Sequence, residues 1–71
     1  MNTLIFKTNI ESHNYFKRVR TALNQKNKIE DCTIDLDDID KVLRVLSESF
    51  TIAEVEKEIS GMGFYCKELE D

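Results

Sequence analysis

The sequence contains no tryptophan or proline and only two glycines, so nothing in it marks a flexible linker or a boundary between domains. No apolar stretch approaches the ~18 residues that a membrane-spanning helix needs, and we expect no insertion into a membrane. The two cysteines are too few for a disulfide-stapled miniprotein, and their separation matches no metal-binding motif. The 71 residues therefore predict a single domain over 1–71.

Basic residues are in the minority, with ten lysines and arginines against fourteen acidic residues and a formal net charge of −4. This balance argues against nucleic-acid binding, which needs a basic surface. Residues 1–6 lack the basic flank and the long apolar segment of a secretory signal, so we expect a cytoplasmic location.

Combinations of residues that support catalysis are also missing. The single histidine, His13, has no serine or exposed cysteine nucleophile paired with it, and no glycine-rich phosphate loop is present. We therefore expect no enzymatic activity.

The hydrophobic pattern predicts six secondary-structure elements. Two helices begin at Ser12 and Thr51, whose hydroxyls can cap a first turn, and Glu54 completes a capping box with Thr51. Alternating apolar and polar residues, rich in β-branched and aromatic side chains, predict strands at 3–8, 29–36, 41–46 and 64–69. This order predicts an α+β class: a ferredoxin-like βαββαβ sandwich, with an antiparallel sheet of order 4-1-3-2 and both helices on one face.

This fold places the two cysteines on opposite edges of the sheet. Three strand spacings of ~4.8 Å separate Cys32 from Cys66 by roughly 14 Å, beyond the ~7 Å limit for a disulfide. Cys32 alternates with Ile34 and Leu36, so we expect it to be a small buried hydrophobe. Cys66 is either a second buried thiol or, because it follows a loop, a metal ligand.

Several segments together resemble the heavy-metal-associated domain of small copper chaperones and metal-pumping ATPases. Residues 19–23 are similar to the Val-x-x-Ala-Leu pattern of the family's first helix, and 29–36 to its second strand. Gly63-Phe64 resembles the glycine-aromatic pair that opens the family's last strand. The resemblance covers nearly the whole chain and implies a role in metal trafficking.

The family's Met-x-Cys-x-x-Cys metal loop is replaced in this chain. Counting back from Val19 places Ile10 at the family methionine, and Ser12 and Tyr15 at the two cysteines. A serine hydroxyl, or a phenol with an ordinary pKa near ~10, does not replace a thiolate at neutral pH. We therefore expect no tight Cu(I) binding and no resident cofactor.

Two alternatives to a metal-free docking role remain open. Glu11 and His13 flank the loop, and with Cys66 they offer a weak substitute site for Zn(II) or Cu(II). The other alternative is a structural or homo-oligomerising module, built through the edge of the second strand or through Tyr15 and Tyr65.

Charge is distributed unevenly along the chain. Lysines and arginines crowd the first helix and its exit, whereas the second strand and the turn after it are acidic, at Asp35, Asp37, Asp38 and Asp40. The acidic run lacks the glycine and glutamate of an EF-hand, so we expect a solvated turn. In the resembled family a charged first helix commonly meets an oppositely charged domain, and we expect docking to another protein domain or to itself. The expected docking residues are Lys17, Arg18, Arg20, Phe64 and Tyr65.

Overall fold

Four antiparallel strands form one sheet in the order β2-β3-β1-β4 in a computed structural model, which describes residues 2–25 and 29–69. The strands are β1 (Asn2–Thr8), β2 (Ile29–Asp35), β3 (Val42–Ser47) and β4 (Cys66–Glu68), and the helices are α1 (His13–Asn24) and α2 (Ile52–Gly61). The predicted ferredoxin-like α+β fold and its strand order are confirmed.

The core lies between one face of the sheet and the two helices. Its fully buried side chains come from both layers and are Phe6, Ile10, Val19, Leu23, Leu43, Val45, Val55 and Ile59. Burying each of these large side chains contributes about 1.5–3 kcal/mol relative to leaving it exposed. Lys17, Arg18 and Arg20 lie on the solvent side of α1, as its helical spacing predicts.

Both helices begin at the predicted caps. Ser12 accepts a hydrogen bond from the backbone N–H of Tyr15 at 3.2 Å, and Thr51 forms a complete capping box with Glu54. Gly63, two residues after the end of α2, has a φ of +92°, which glycine adopts without steric cost.

Two strands begin later than predicted. β3 begins one residue late because Lys41 has a φ of +46°, which breaks the extended conformation. β4 begins at Cys66 rather than residue 64, because the two preceding amides bond outside the sheet. The Phe64 N–H donates to the Ile59 carbonyl, and the Tyr65 N–H donates to the side chain of Asn9.

The cysteines occupy opposite edges of the sheet, as expected, and both are free and buried. Cys32 and Cys66 align with positions four residues apart along β1, Leu4 (through Val45) and Thr8. This offset adds to the three strand spacings and separates the cysteines by roughly 20 Å. No disulfide can form between them within one chain.

No helix within residues 2–25 and 29–69 is both long enough and apolar enough to cross a membrane.

Candidate functional site

Thr8 organises the end of the sheet where the resembled family binds its metal. Its side chain is 5% exposed, and its hydroxyl donates to the Lys41 carbonyl at 2.6 Å and accepts from the Ile10 N–H at 3.2 Å. The Thr8 N–H also donates to the Asp40 carbonyl at 3.0 Å. One buried threonine thus joins the end of β1, the β1–α1 loop (residues 9–12) and the β2–β3 turn (residues 36–41).

Two loop residues fix the path of the β1–α1 loop. Ile10, predicted from the sequence to correspond to the family methionine, is fully buried and belongs to the hydrophobic core. The Asn9 side chain accepts a hydrogen bond from the Tyr65 N–H at 2.7 Å, which links the loop to the segment before β4. The loop is therefore held by apolar packing and neutral hydrogen bonds.

The two positions predicted to correspond to the family cysteines have other structural roles. Ser12 caps α1, and Tyr15 packs against Phe64 with ring centroids 5.5 Å apart and ring planes inclined at 57°. Tilted aromatic pairs of this kind stabilise by about 0.5–1.5 kcal/mol beyond their burial. Tyr15 and Tyr65 each leave nearly half of their surface exposed, so this end of the molecule presents aromatic surface to solvent.

Glu11, His13 and Cys66 are not brought together as a ligand set. Glu11 and His13 are exposed on the loop and the first turn of α1, whereas Cys66 is buried under the helices. Burial raises the pKa of the Cys66 thiol to about 12, with a smaller contribution from the negative charge of Glu56. At neutral pH this thiol is protonated and therefore a poor metal ligand.

No group of three or more histidine, cysteine, aspartate or glutamate side chains in the described part of the chain is arranged to hold a metal ion.

The three basic residues of α1 divide into one that is paired and two that are not. Arg20 lies 3.5 Å from Asp31 on β2, but both side chains are about half exposed, so solvent weakens the pair. Within residues 2–25 and 29–69, Lys17 and Arg18 form no ion pair. Lys26 and Lys28, which the sequence places at the exit of this helix, lie outside the described residues.

A shallow groove, here called the α1 groove, runs along this basic face. It measures about 430 Å³ and is lined by Lys17, Arg18, Thr21, Ala22, Gln25 and Met62. The lining combines two cationic side chains with the apolar surface of Ala22 and Met62, which are both only partly buried. The α1 groove therefore suits a ligand that is apolar at its centre and acidic around it.

The β2–β3 turn presents one apolar side chain to solvent. Ile39 is 92% exposed, and the turn around it is held by hydrogen bonds. The Asp40 N–H donates to the Asp38 carboxylate at 2.8 Å, the Lys41 N–H donates to the Asp38 carbonyl at 3.0 Å, and the Lys41 ammonium donates to the Leu36 carbonyl at 2.8 Å. The expected solvated acidic turn is present, with an isoleucine at its tip.

Comparison with known proteins identifies the architecture. No protein-family profile and no curated protein sequence matches the chain. Among solved structures, it resembles the yeast copper transporter domain Ccc2a, which was determined in apo and Cu(I)-loaded states. The fold is that of a copper transporter domain. The match has a TM-score of 0.84 at 19% sequence identity and covers 100% of this chain and 99% of the yeast domain.

This likeness confirms the heavy-metal-associated fold. Sequence reasoning located the loop, its helix cap and the basic face of α1. It missed the roles of Thr8, Asn9 and Ile39. An isoleucine within the acidic segment 37–40 was a visible signal for Ile39, whereas nothing local indicated the long-range bonds of Thr8 and Asn9.

Proposed function

We propose that this chain is a cytoplasmic domain of the heavy-metal-associated type that acts in metal trafficking by docking to another protein, without capturing Cu(I) tightly. The likeness to a copper transporter domain supports the relation to metal transport. The role requires no catalysis, in keeping with the expectation from the sequence.

The observation that carries the proposal is the chemistry of the β1–α1 loop. The side chains at the two family ligand positions are a hydroxyl that caps α1 and a phenol that packs against Phe64. Soft thiolates select Cu(I), and both cysteines of this chain lie outside the loop, on β2 and β4. A domain that keeps the scaffold but presents these groups is better suited to recognising a protein than to holding the ion.

The exposed surface near the loop supports docking. Lys17 and Arg18 project from α1, and the half-exposed Tyr15 and Tyr65 lie at the same end of the sheet as the loop. Exposed cations steer the encounter with an acidic partner, and tyrosines supply apolar contact area with a polar tip. The partner proposed is a domain with an acidic face, such as one belonging to a metal-transport protein.

A titration with Cu(I) tests whether the chain binds this ion tightly. Reduced wild-type protein and a Ser12→Cys/Tyr15→Cys variant are titrated with Cu(I) against a competing chelator. We expect submicromolar binding by the variant alone, because the substitutions restore two thiols near the N-terminus of α1, where the helix dipole favours thiolates. Submicromolar binding of Cu(I) by the wild type would contradict the proposal.

The same competition titration with Zn(II) tests the alternative of a weak substitute metal site. A substitute site at Glu11, His13 and Cys66 predicts Zn(II) binding that is lost in both His13→Ala and Cys66→Ser. Since Cys66 is buried and protonated, we expect no such binding.

Docking is tested by quantitative cross-linking in cells. A Lys17→Glu/Arg18→Glu variant reverses the charge of the α1 groove, and Lys57→Glu/Lys67→Glu makes the same net change at exposed positions on α2 and β4. We expect a partner with an acidic domain to be captured by the wild type and the control but not by the first variant. A set of captured proteins that is identical for all three chains would contradict docking through this face.

A further inference from the structure

The β2–β3 turn and the α1 groove of this chain each combine an apolar group with charges, and their charges are of opposite sign. The turn offers a protruding Ile39 flanked by the carboxylates of Asp37, Asp38 and Asp40. The groove offers the apolar surface of Ala22 and Met62 together with the cations of Lys17 and Arg18. We propose that the β2–β3 turn of one copy binds in the α1 groove of a second copy, so that the chain self-associates through a turn-to-groove contact.

The conformation of the turn favours this role. Hydrogen bonds from Asp40 and Lys41 to Asp38, and from Lys41 to Leu36, fix the backbone on both sides of Ile39. A turn whose backbone is already fixed by hydrogen bonds loses little backbone entropy on binding. Ile39 also has almost no contact with its own chain, so its apolar surface remains available to a partner.

The opposite charges of the turn and the groove favour this contact over other contacts between two copies. In each copy Asp40 lies 3.4 Å from Lys7, which holds it at the base of the turn, whereas Asp37 is exposed. On the groove side, Arg20 is engaged with Asp31, but Lys17 and Arg18 form no ion pair within the described residues. Opposite charges around an apolar contact fix its register and speed association, and dissolved salt weakens both effects.

The surfaces involved differ, so the contact is heterologous. Such a contact generates a ring if the rotation between copies closes, and a chain of copies if it does not. It also differs from a symmetric dimer formed through the edge of β2 or through Tyr15 and Tyr65, which Ile39 would not enter. Because the proposal concerns the chain alone, it does not depend on the proposed function.

Sedimentation equilibrium of the purified chain tests the proposal, between about 20 µM and about 1 mM protein, since a contact of this size is expected to be weak. We expect the average mass to rise with concentration in about 20 mM salt and to fall towards the monomer in about 500 mM salt. A wild-type chain that stays monomeric throughout overturns the proposal.

Two variants each remove one half of the contact. Ile39→Ser deletes the apolar centre at a 92% exposed position, so it leaves the fold intact, which an amide NMR spectrum verifies. Lys17→Glu/Arg18→Glu reverses the charge of the α1 groove, and Lys57→Glu/Lys67→Glu is its charge-matched control. We expect the first two to weaken self-association by about tenfold or more, and the control to leave it unchanged. Undiminished association of Ile39→Ser overturns the proposal.

Mixing the two weakened variants gives the decisive result. The Ile39→Ser copy retains an intact groove, and the charge-reversed copy retains an intact turn. We expect the mixture to form a one-to-one complex that neither variant forms alone. A mixture whose components stay monomeric overturns the turn-to-groove contact.

Discussion

Replacing Thr8 with valine tests whether hydrogen bonding or apolar burial holds the loop end together. The substitution keeps the shape of the side chain and removes the hydroxyl, which donates to the Lys41 carbonyl and accepts from the Ile10 N–H. If apolar burial dominated, valine would stabilise the protein. If the hydrogen bonds dominate, it destabilises, because two polar backbone groups lose their partner at a buried position.

The expected magnitude follows from these two bonds. Each is worth about 1 kcal/mol net, and a buried group left without a partner costs about 1–3 kcal/mol, so Thr8→Val should lower the free energy of unfolding by about 2–4 kcal/mol. Thr8→Ser keeps the hydroxyl and loses one methyl group, which costs about 1 kcal/mol. Valine should therefore be the more destabilising of the two, although it is the more apolar.

Urea unfolding followed by circular dichroism measures the difference. With a slope of about 1 kcal/mol per M for a small domain, the midpoint should fall by roughly 2 M or more for Thr8→Val and by roughly 1 M for Thr8→Ser. Thr3→Val is the matched control, since Thr3 is exposed on the same strand, and it should change stability by less than about 0.5 kcal/mol. A valine variant as stable as the serine variant would refute the role given to these hydrogen bonds.

Two further predictions concern the glycines and the buried thiols. An added Cβ meets no atom within 4 Å at Gly61 or Gly63, so the backbone conformation alone decides the effect of a substitution by alanine. Gly61→Ala, in the last turn of α2, should raise the free energy of unfolding by about 0.5–1 kcal/mol. Gly63→Ala, at a φ of +92°, should lower it by about 1 kcal/mol. Thermal unfolding measures both, and equal shifts of the same sign would contradict the reasoning. Burial raises the pKa of Cys32 from 9.0 to about 11 and that of Cys66 to about 12, so the unfolded chain releases these protons first as the pH rises. The stability that the protonated thiols contribute is complete below pH 9.0 and is lost as the pH rises towards 11, by about 1 kcal/mol per pH unit for each thiol. The free energy of unfolding of a Cys32→Ala/Cys66→Ala variant should therefore fall less over this range. Parallel pH profiles for the two proteins, measured by urea unfolding, would show that the thiols are not the cause.

The elements of the fold were predictable because each leaves a local pattern in the sequence. The capping residues Ser12 and Thr51 lie immediately before the helices they start, and the alternation around Cys32 marks a half-buried strand. Strand ends were less predictable, because they depend on partners far along the chain. Tyr65 leaves the sheet because its N–H bonds to Asn9, 56 residues earlier, and no rule based on neighbouring residues anticipates that bond.

The candidate site also combines features that the local sequence predicts with features that depend on residues far along the chain. The serine and tyrosine at positions 12 and 15 can be read directly from the sequence, and the burial of Cys66 follows from its alternation with Phe64. The link through Thr8 was not predictable, because an alternating threonine in a strand reads the same whether its hydroxyl is solvated or buried. The exposure of Ile39 was not predictable either, because it depends on how the other elements pack around the turn.

The bonds made by Thr8, Asn9 and Ile10 separate the support of the loop from its chemistry. These three residues hold the loop to the segment before β4, to the β2–β3 turn and to the core, while Ser12 and Tyr15 take no part in those bonds. Exchanging the groups at positions 12 and 15 therefore involves one helix cap and one aromatic contact, and leaves the scaffold in place. The hydrogen bonds and apolar packing that hold the loop therefore place no requirement on the side chains at positions 12 and 15.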